Sequence, residues 1–250
     1  MLVALAQIDM GFEEIDKAKL KVKEMVEEAS KHHTELIIFP EMTLTGFTMS
    51  KLTDDSIIPY FDDLAKRYNI TIIYGYIEKS NQYYFNACNI TDGTTKCHYQ
   101  KIHPFLRESQ YYQKGDHLES YSINEFRLVP TICYDLRFPI LYYKASKMGN
   151  IMINIASWPE IRDEHWLSLL KARAIENQCY MIGVNRVGND PDHHYIGHSI
   201  VFDGWGKAYN ELFEDERNIY VEINLKDYPA NFTLDRRNDL YLDLLKDKID

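Results

Sequence analysis

Leu128-Val-Pro-Thr-Ile-Cys133-Tyr-Asp-Leu-Arg-Phe-Pro139 reads as a strand that runs directly into a turn and a helix. Leu128 to Ile132 is a short apolar run of the kind buried inside a sheet, and the strand is expected to begin at Phe126. Pro139 suits the first turn of a helix, and Ile140 to Met148 continues with helical spacing. Cys133 therefore falls where a strand ends and the chain bends. Free amides near a helix start favour negative charge, so a thiol there is expected to lose its proton more easily. A buried structural cysteine is the commoner fate of a lone Cys, so this stretch alone does not decide for a nucleophile.

Two further stretches shift the balance. Phe39-Pro-Glu41-Met-Thr-Leu-Thr-Gly-Phe47 closes the apolar run Glu35 to Phe39, and Tyr99-Gln-Lys101-Ile-His-Pro-Phe105 follows a strand ending near Tyr99. A carboxylate, an ammonium and a thiol thus each lie just past a strand. In α/β folds, residues at strand C-termini gather on the functional face. The order Glu41, Lys101, Cys133, with these neighbours, resembles the nitrilase or carbon–nitrogen hydrolase superfamily over nearly the whole chain. Phe105-Leu-Arg-Glu108-Ser-Gln-Tyr-Tyr-Gln-Lys-Gly115-Asp resembles the loop that carries a second glutamate in that family, which puts Glu108 in that place. Pro104 departs from the family pattern, where leucine is usual.

The rest of the chain supplies alternating elements. Leu2 to Ile8 reads as the first strand. Phe12 to His33 reads as a helix with Ile15, Ala18, Val22, Met25, Val26 and Ala29 on one stripe. A second helix spans Ile57 to Tyr68, and a strand follows from Ile70 to Ile77. Tyr83 to Ile90 and Thr94 to Tyr99 flank the hairpin pair Asp92-Gly93. Tyr121 to Ile123 pairs ahead of the nucleophile strand. Ile151 to Ala156, the helix Asp163 to Gln178, and strands Tyr180 to Val187, Gly197 to Phe202, Lys207 to Tyr209 and Asn218 to Ile223 complete the pattern. Leu225 to Ile249 reads as a polar, partly helical tail. Two sets of near-continuous apolar strands each need cover on both faces, which calls for an α/β four-layer α-β-β-α sandwich forming one domain over residues 1–250. The resemblance implies the same fold, and implies a homodimer.

A net charge of −10 argues against a nucleic-acid surface. The apolar start Met1 to Ile8 lacks a basic flank and meets Asp9 at once, so it reads as a strand, not a signal peptide. No apolar run reaches membrane-spanning length. Cys88, Cys97, Cys133 and Cys179 form no CxxC pair and are expected to be reduced in a cytoplasmic protein. His193-His194, after Asp190-Pro191-Asp192, reads as an exposed polar turn with no metal. A papain-like peptidase would need a Cys and His signature that is absent.

The resemblance implies amide hydrolysis through a thioester, without metal or cofactor. Cys133 would be the nucleophile and Glu41 the base and acid. Lys101 and the backbone N–H of Tyr134 would hold the oxyanion, and Glu108 would position substrate or fix the neighbouring charges. Ser157-Trp158-Pro, His165-Trp166, Arg173-Ala-Ile-Glu-Asn-Gln and Asn185-Arg-Val-Gly look most like the ω-amidase branch. That branch acts on 2-oxoglutaramate and 2-oxosuccinamate. Phe47 and Trp158 are candidate pocket walls for such a small anionic amide. Arg137 could bind a carboxylate, but pairing with Asp135 or Glu176 is the stronger expectation. Arg173 and Glu176 should pair on their helix. Rival readings are another amidase of the superfamily, acting on deaminated glutathione or N-carbamyl compounds, and a non-catalytic protein of the same fold.

Overall fold

Along β1 (Leu2–Gln7), Val3 and Leu5 face one apolar layer while Ala4 and Ala6 face another. Both sides of the strand are buried, and the same split recurs in strand after strand. In β2 (Leu36–Ile38) and β3 (Thr71–Ser80), Leu36, Ile38 and Ile73 turn inward while Ile37, Ile72 and Tyr74 turn outward. Side chains alternate with period two, so a continuous apolar run buries both faces only when something covers each.

The computed structural model describes residues 1–94 and 96–225. One sheet has six strands in the order β13-β1-β2-β3-β4-β5, with β4 at Tyr83–Thr91, β5 at Lys96–Gln100 and β13 at Arg217–Glu222. The other has five in the order β12-β9-β8-β7-β6, with β6 at Tyr121–Ile123, β7 at Phe126–Ile132, β8 at Ile151–Ala156, β9 at Tyr180–Asn185 and β12 at Ile200–Phe202. Their inner faces meet in a core that joins Val3, Ile38 and Ile90 to Ile132, Ile153 and Val184. Helices α1 (Ile15–Lys31) and α2 (Ile57–Tyr68) cover the outside of the first sheet. Helices α3 (Pro139–Met148) and α4 (Asp163–Asn177) cover the outside of the second. This is the four-layer α-β-β-α sandwich. Each fully buried Ile or Leu contributes roughly 1.5–3 kcal/mol, against roughly 0–1 kcal/mol for an exposed ion pair. The stacked apolar layers, not the surface charges, therefore hold the sheets together.

Several boundaries move for local reasons. The first helix starts at Ile15, because Gly11 and Glu13 both take left-handed φ values. Tyr180 to Val187 does not run through as one strand. The Asn185 side chain binds Trp158 N and O and Gly197 O, and the chain restarts as β10 (Val187–Asn189), paired with β11 (His194–Ile196). β12 begins at Ile200, since Gly197 and His198 are left-handed. Lys207 to Tyr209 forms only a single bridge, Ala208 to Phe202, because Asp203 Oδ1 gathers Trp205 N and Lys207 N into a turn. The tail beyond Leu225 lies outside the described residues. No helix among the described residues is long and apolar enough to cross a membrane.

Candidate active site

Glu41 leaves the end of β2 through Phe39 and Pro40, and its backbone lies hard against β3. A Cβ on Gly75 would sit 2.5 Å from Met42 N and 2.8 Å from Glu41 Cα, so only glycine permits this approach. A glycine inside an apolar strand is the sequence sign of such a contact. Lys101 directly follows β5, and its N–H donates to Asn86 O at 2.8 Å. Cys133 follows β7 with φ 45°, a left-handed bend that opens a 3-10 turn, Cys133–Arg137. Such a bend is costly for a non-glycine residue and is common where a side chain must be presented.

These side chains meet. Lys101 Nζ donates to Glu41 Oε1 at 2.7 Å and to Glu108 Oε2 at 2.8 Å, with all three side chains 0% exposed. Phe105 N donates to Glu108 Oε2 at 2.7 Å, so the loop containing Pro104 still closes onto Lys101. Ser157 N, at the end of β8, donates to Glu41 Oε2 at 2.9 Å. Cys133 Sγ lies 4.0 Å from Ser157 O, and the Glu41 carboxylate is near enough to help hold the thiol proton on. Asn86, in β4, was not singled out from the sequence. Its Nδ2 donates to both Glu41 Oε1 and Glu108 Oε1 at 2.7 Å.

The charges act on one another strongly. Burial pulls the Lys101 ammonium down, but Glu108, Glu41 and Cys133 together outweigh it and hold Lys101 well above its usual value, so it stays charged. Burial, with repulsion from Glu41, pushes Glu108 up against the pull of Lys101. Burial also pushes the Cys133 thiol well up, Glu41 adds to the rise, and Lys101 only partly opposes it. This corrects the expectation of an easily ionised thiol. The turn after β7 is a short 3-10 segment inside an enclosed site, and desolvation beside a carboxylate exceeds any benefit from its free amides. Cys133 therefore rests as a thiol.

Cys133 opens onto a cavity of about 40 Å³, lined among others by Phe47, Phe105, Tyr134, Trp158, Arg137 and Arg162. Phe47 and Trp158 thus line the same cavity as Cys133, and the Phe47 ring centroid is 5.8 Å from Lys101 Nζ. The cavity shares Phe47, Phe105 and His193 with an outer vestibule of about 530 Å³, which Glu108, Glu13, Arg107, Asp190 and Asp192 also line. His193 is therefore part of the site and not merely an exposed turn, while the neighbouring His194 is exposed.

Arg137 does not pair as expected. Asp135 is occupied by the Tyr99 hydroxyl, Ile132 N and His103, and Glu176 pairs with Arg173 at 2.7 Å. The 3-10 turn sends Asp135 inward and leaves Arg137 at the cavity. There Arg137 Nη2 meets His165 Nδ1 at 3.1 Å, and the guanidinium lies 5.0 Å over the Trp158 ring. Arg162 lies 5.5 Å over the Phe105 ring, and its backbone O accepts Trp158 Nε1–H. No carboxylate of the described residues forms an ion pair with either arginine.

The profile of the carbon–nitrogen hydrolase family matches residues 2–230. The chain is 30% identical to 2-oxoglutaramate amidase of Bacillus subtilis, covering 90% of this chain and 91% of that one. It is 32% identical to deaminated glutathione amidase of Dictyostelium discoideum, covering 82% and 81%. Among solved structures, it superimposes on a carbon–nitrogen hydrolase superfamily protein of Xanthomonas campestris that carries an arsenic adduct in its active site. That match has a TM-score of 0.84 and 27% identity, over 91% of this chain and 92% of the other. With the strand-end site and the fold both in agreement, the chain belongs to the carbon–nitrogen hydrolase family, as a hydrolase of amide carbon–nitrogen bonds.

Proposed function

We propose that this enzyme releases ammonia from small amides that carry a carboxylate, of the 2-oxoglutaramate and 2-oxosuccinamate kind. The observation that carries this reading is the pair of guanidiniums, Arg137 and Arg162, lining the same small cavity as Cys133 with no carboxylate of the described residues to neutralise them. Guanidinium forks suit a carboxylate, and the flanking aromatic rings suit a short acyl chain.

Glu41 takes the proton of Cys133, and the sulfur attacks the amide carbon. Lys101 has three N–H bonds and uses two on Glu41 and Glu108, which leaves one for the oxyanion. The backbone N–H of Tyr134 is the second oxyanion donor. As the carbon–nitrogen bond breaks, Glu41 returns the proton and ammonia leaves. Water, deprotonated by Glu41, then cleaves the thioester and restores the thiol. Glu108 sits on Lys101 and holds it.

Ammonia release from the two oxo-acid amides, a neutral amide of matching length and deaminated glutathione tests the substrate. Arg137→Gln is expected to lower kcat/KM on the anionic amides about 10–100-fold, the size of one lost charged hydrogen bond, and to spare the neutral amide. A wild-type enzyme that prefers the neutral amide rules the reading out. The vestibule of about 530 Å³ favours a second reading, in which the cavity takes the amide end of a longer peptide-like molecule. Faster turnover of deaminated glutathione would select it.

The four cysteines are free, which fits a reducing compartment, and we assign the enzyme to the cytoplasm. We also propose a homodimer. Ile140, Ile161, Ile175 and Trp205, on and beside α3 and α4, are exposed by 69%, 85%, 45% and 64%, and large apolar side chains exposed together favour a partner. Sedimentation should give twice the chain mass of 29.5 kDa, and Ile161→Glu with Trp205→Glu should return it to a monomer. A wild-type monomer ends this proposal.

A further inference from the structure

Asn86 sits at the centre of the charged cluster and is 1% exposed. Its Nδ2 carries two hydrogens, and each goes to a different carboxylate, Glu41 Oε1 and Glu108 Oε1. The carbonyl end, Oδ1, is buried with no partner among the described residues. The opposite amide orientation would turn that carbonyl onto two carboxylates, so the arrangement is fixed by its neighbours. A buried polar atom left unpaired is unfavourable and calls for a reason. Here the reason lies in the two bonds that the other end makes.

We propose that Asn86 is a positioning residue that decides which oxygen of Glu41 carries the proton during turnover. The inference rests on the reading of Glu41 as the base that serves Cys133. Glu41 Oε1 accepts from both Lys101 and Asn86, each at 2.7 Å, which fills its two lone pairs. Among the described residues, Oε2 accepts only from Ser157 N and keeps one site open. The thiol proton must therefore land on Oε2, and the same oxygen returns it to the leaving nitrogen. Without Asn86, Oε1 keeps only Lys101 and offers a second protonation site, on the oxygen that Ser157 N does not hold. A proton parked there is lost to the reaction. Asn86 achieves this without adding charge between two carboxylates, which a lysine or aspartate could not do.

The titratable groups facing Glu41 are Lys101, Glu108 and Cys133, with Tyr112 and Tyr195 further out; burial keeps both phenols protonated. Asn86→Ala is expected to lower kcat about 10²-fold, comparable to losing one preorganised donor, while KM stays within about threefold because Asn86 lies behind Glu41. The pH profile of kcat/KM should also move, since the Asn86 hydrogen bond helps to hold the Glu108 carboxyl down and its loss lets Glu108 keep a proton to higher pH. Asn86→Ser keeps one donor and should fall between alanine and wild type; it decides the matter if the alanine variant does not fold. Unchanged kcat, or an equal loss in kcat with the pH profile unmoved, overturns the assignment. Cys133→Ala, measured alongside, separates the two levels. Residual turnover there removes the base–nucleophile reading itself, whereas an inert Cys133→Ala beside an unaltered Asn86→Ser profile removes only the role of Asn86.

Discussion

Cys133→Ala is expected to reduce ammonia release by on the order of 10⁴-fold or more, the range seen when a covalent nucleophile is removed, with the fold unchanged. The side chain is small and borders a cavity, so deleting one sulfur leaves little strain. Circular dichroism and melting temperature should match the wild type. The same variant should lose the fastest-reacting thiol towards iodoacetamide, because Cys88 and Cys179 are 0% exposed and Cys97 is 7% exposed. In the wild type, alkylation of Cys133 should keep rising with pH beyond neutrality, since burial and Glu41 hold its proton on. A labelling rate that levels off below neutral pH would mean a preformed thiolate and a different division of labour with Glu41. Substantial turnover by Cys133→Ala would remove the thioester altogether.

Lys101→Ala should be damaging twice over. Turnover should fall by at least about 10²–10³-fold, the loss that follows removal of an oxyanion donor. The fold should also suffer, because Glu41 and Glu108 would be left buried with no cation between them. Breaking a buried ion pair by deleting one partner costs roughly 3–5 kcal/mol, read here as a lower midpoint in urea. The loss has a pH signature. Burial and Glu41 already raise the Glu108 carboxyl above its ordinary range, and without Lys101 its chief downward pull is gone. A carboxyl whose folded value is raised stabilises the fold at low pH, and that stability is lost as pH rises through the folded value. The variant should therefore be least impaired in mild acid and most impaired above neutrality. A penalty independent of pH would show that the carboxylates do not repel as the geometry requires.

The layering and the three strand ends were legible in the sequence, since both depend on local runs. Phe126 to Ile132 and Ile151 to Ala156 are bounded by turn residues, and their apolar continuity already required cover on two faces. Glu41, Lys101 and Cys133 each stand just past a strand, but position alone leaves a surface lysine and a structural cysteine as the commoner readings; their order and neighbours, which resemble the nitrilase superfamily, single them out. Asn86 could not be singled out. It lies inside a strand, and nothing local distinguishes it from Asn89 of the same strand, whose amide donates instead to the Tyr74 hydroxyl of β3. Arg137 was misjudged for a related reason. Nearby acids at spacings of two residues or along the chain do not predict pairing when a 3-10 turn points Asp135 into the core.

The order of residues alone determined the sandwich, because periodicity is a property of neighbouring residues, and its resemblance to the nitrilase superfamily marked Glu41, Lys101 and Cys133 as candidates. Only the tertiary structure decided the upward push on the thiol, the absence of a carboxylate partner for Arg137 and Arg162 among the described residues, and the bridge made by Asn86. Those depend on dielectric, distance and competition between side chains that are dozens of residues apart, and such quantities exist only once the two sheets have closed on each other.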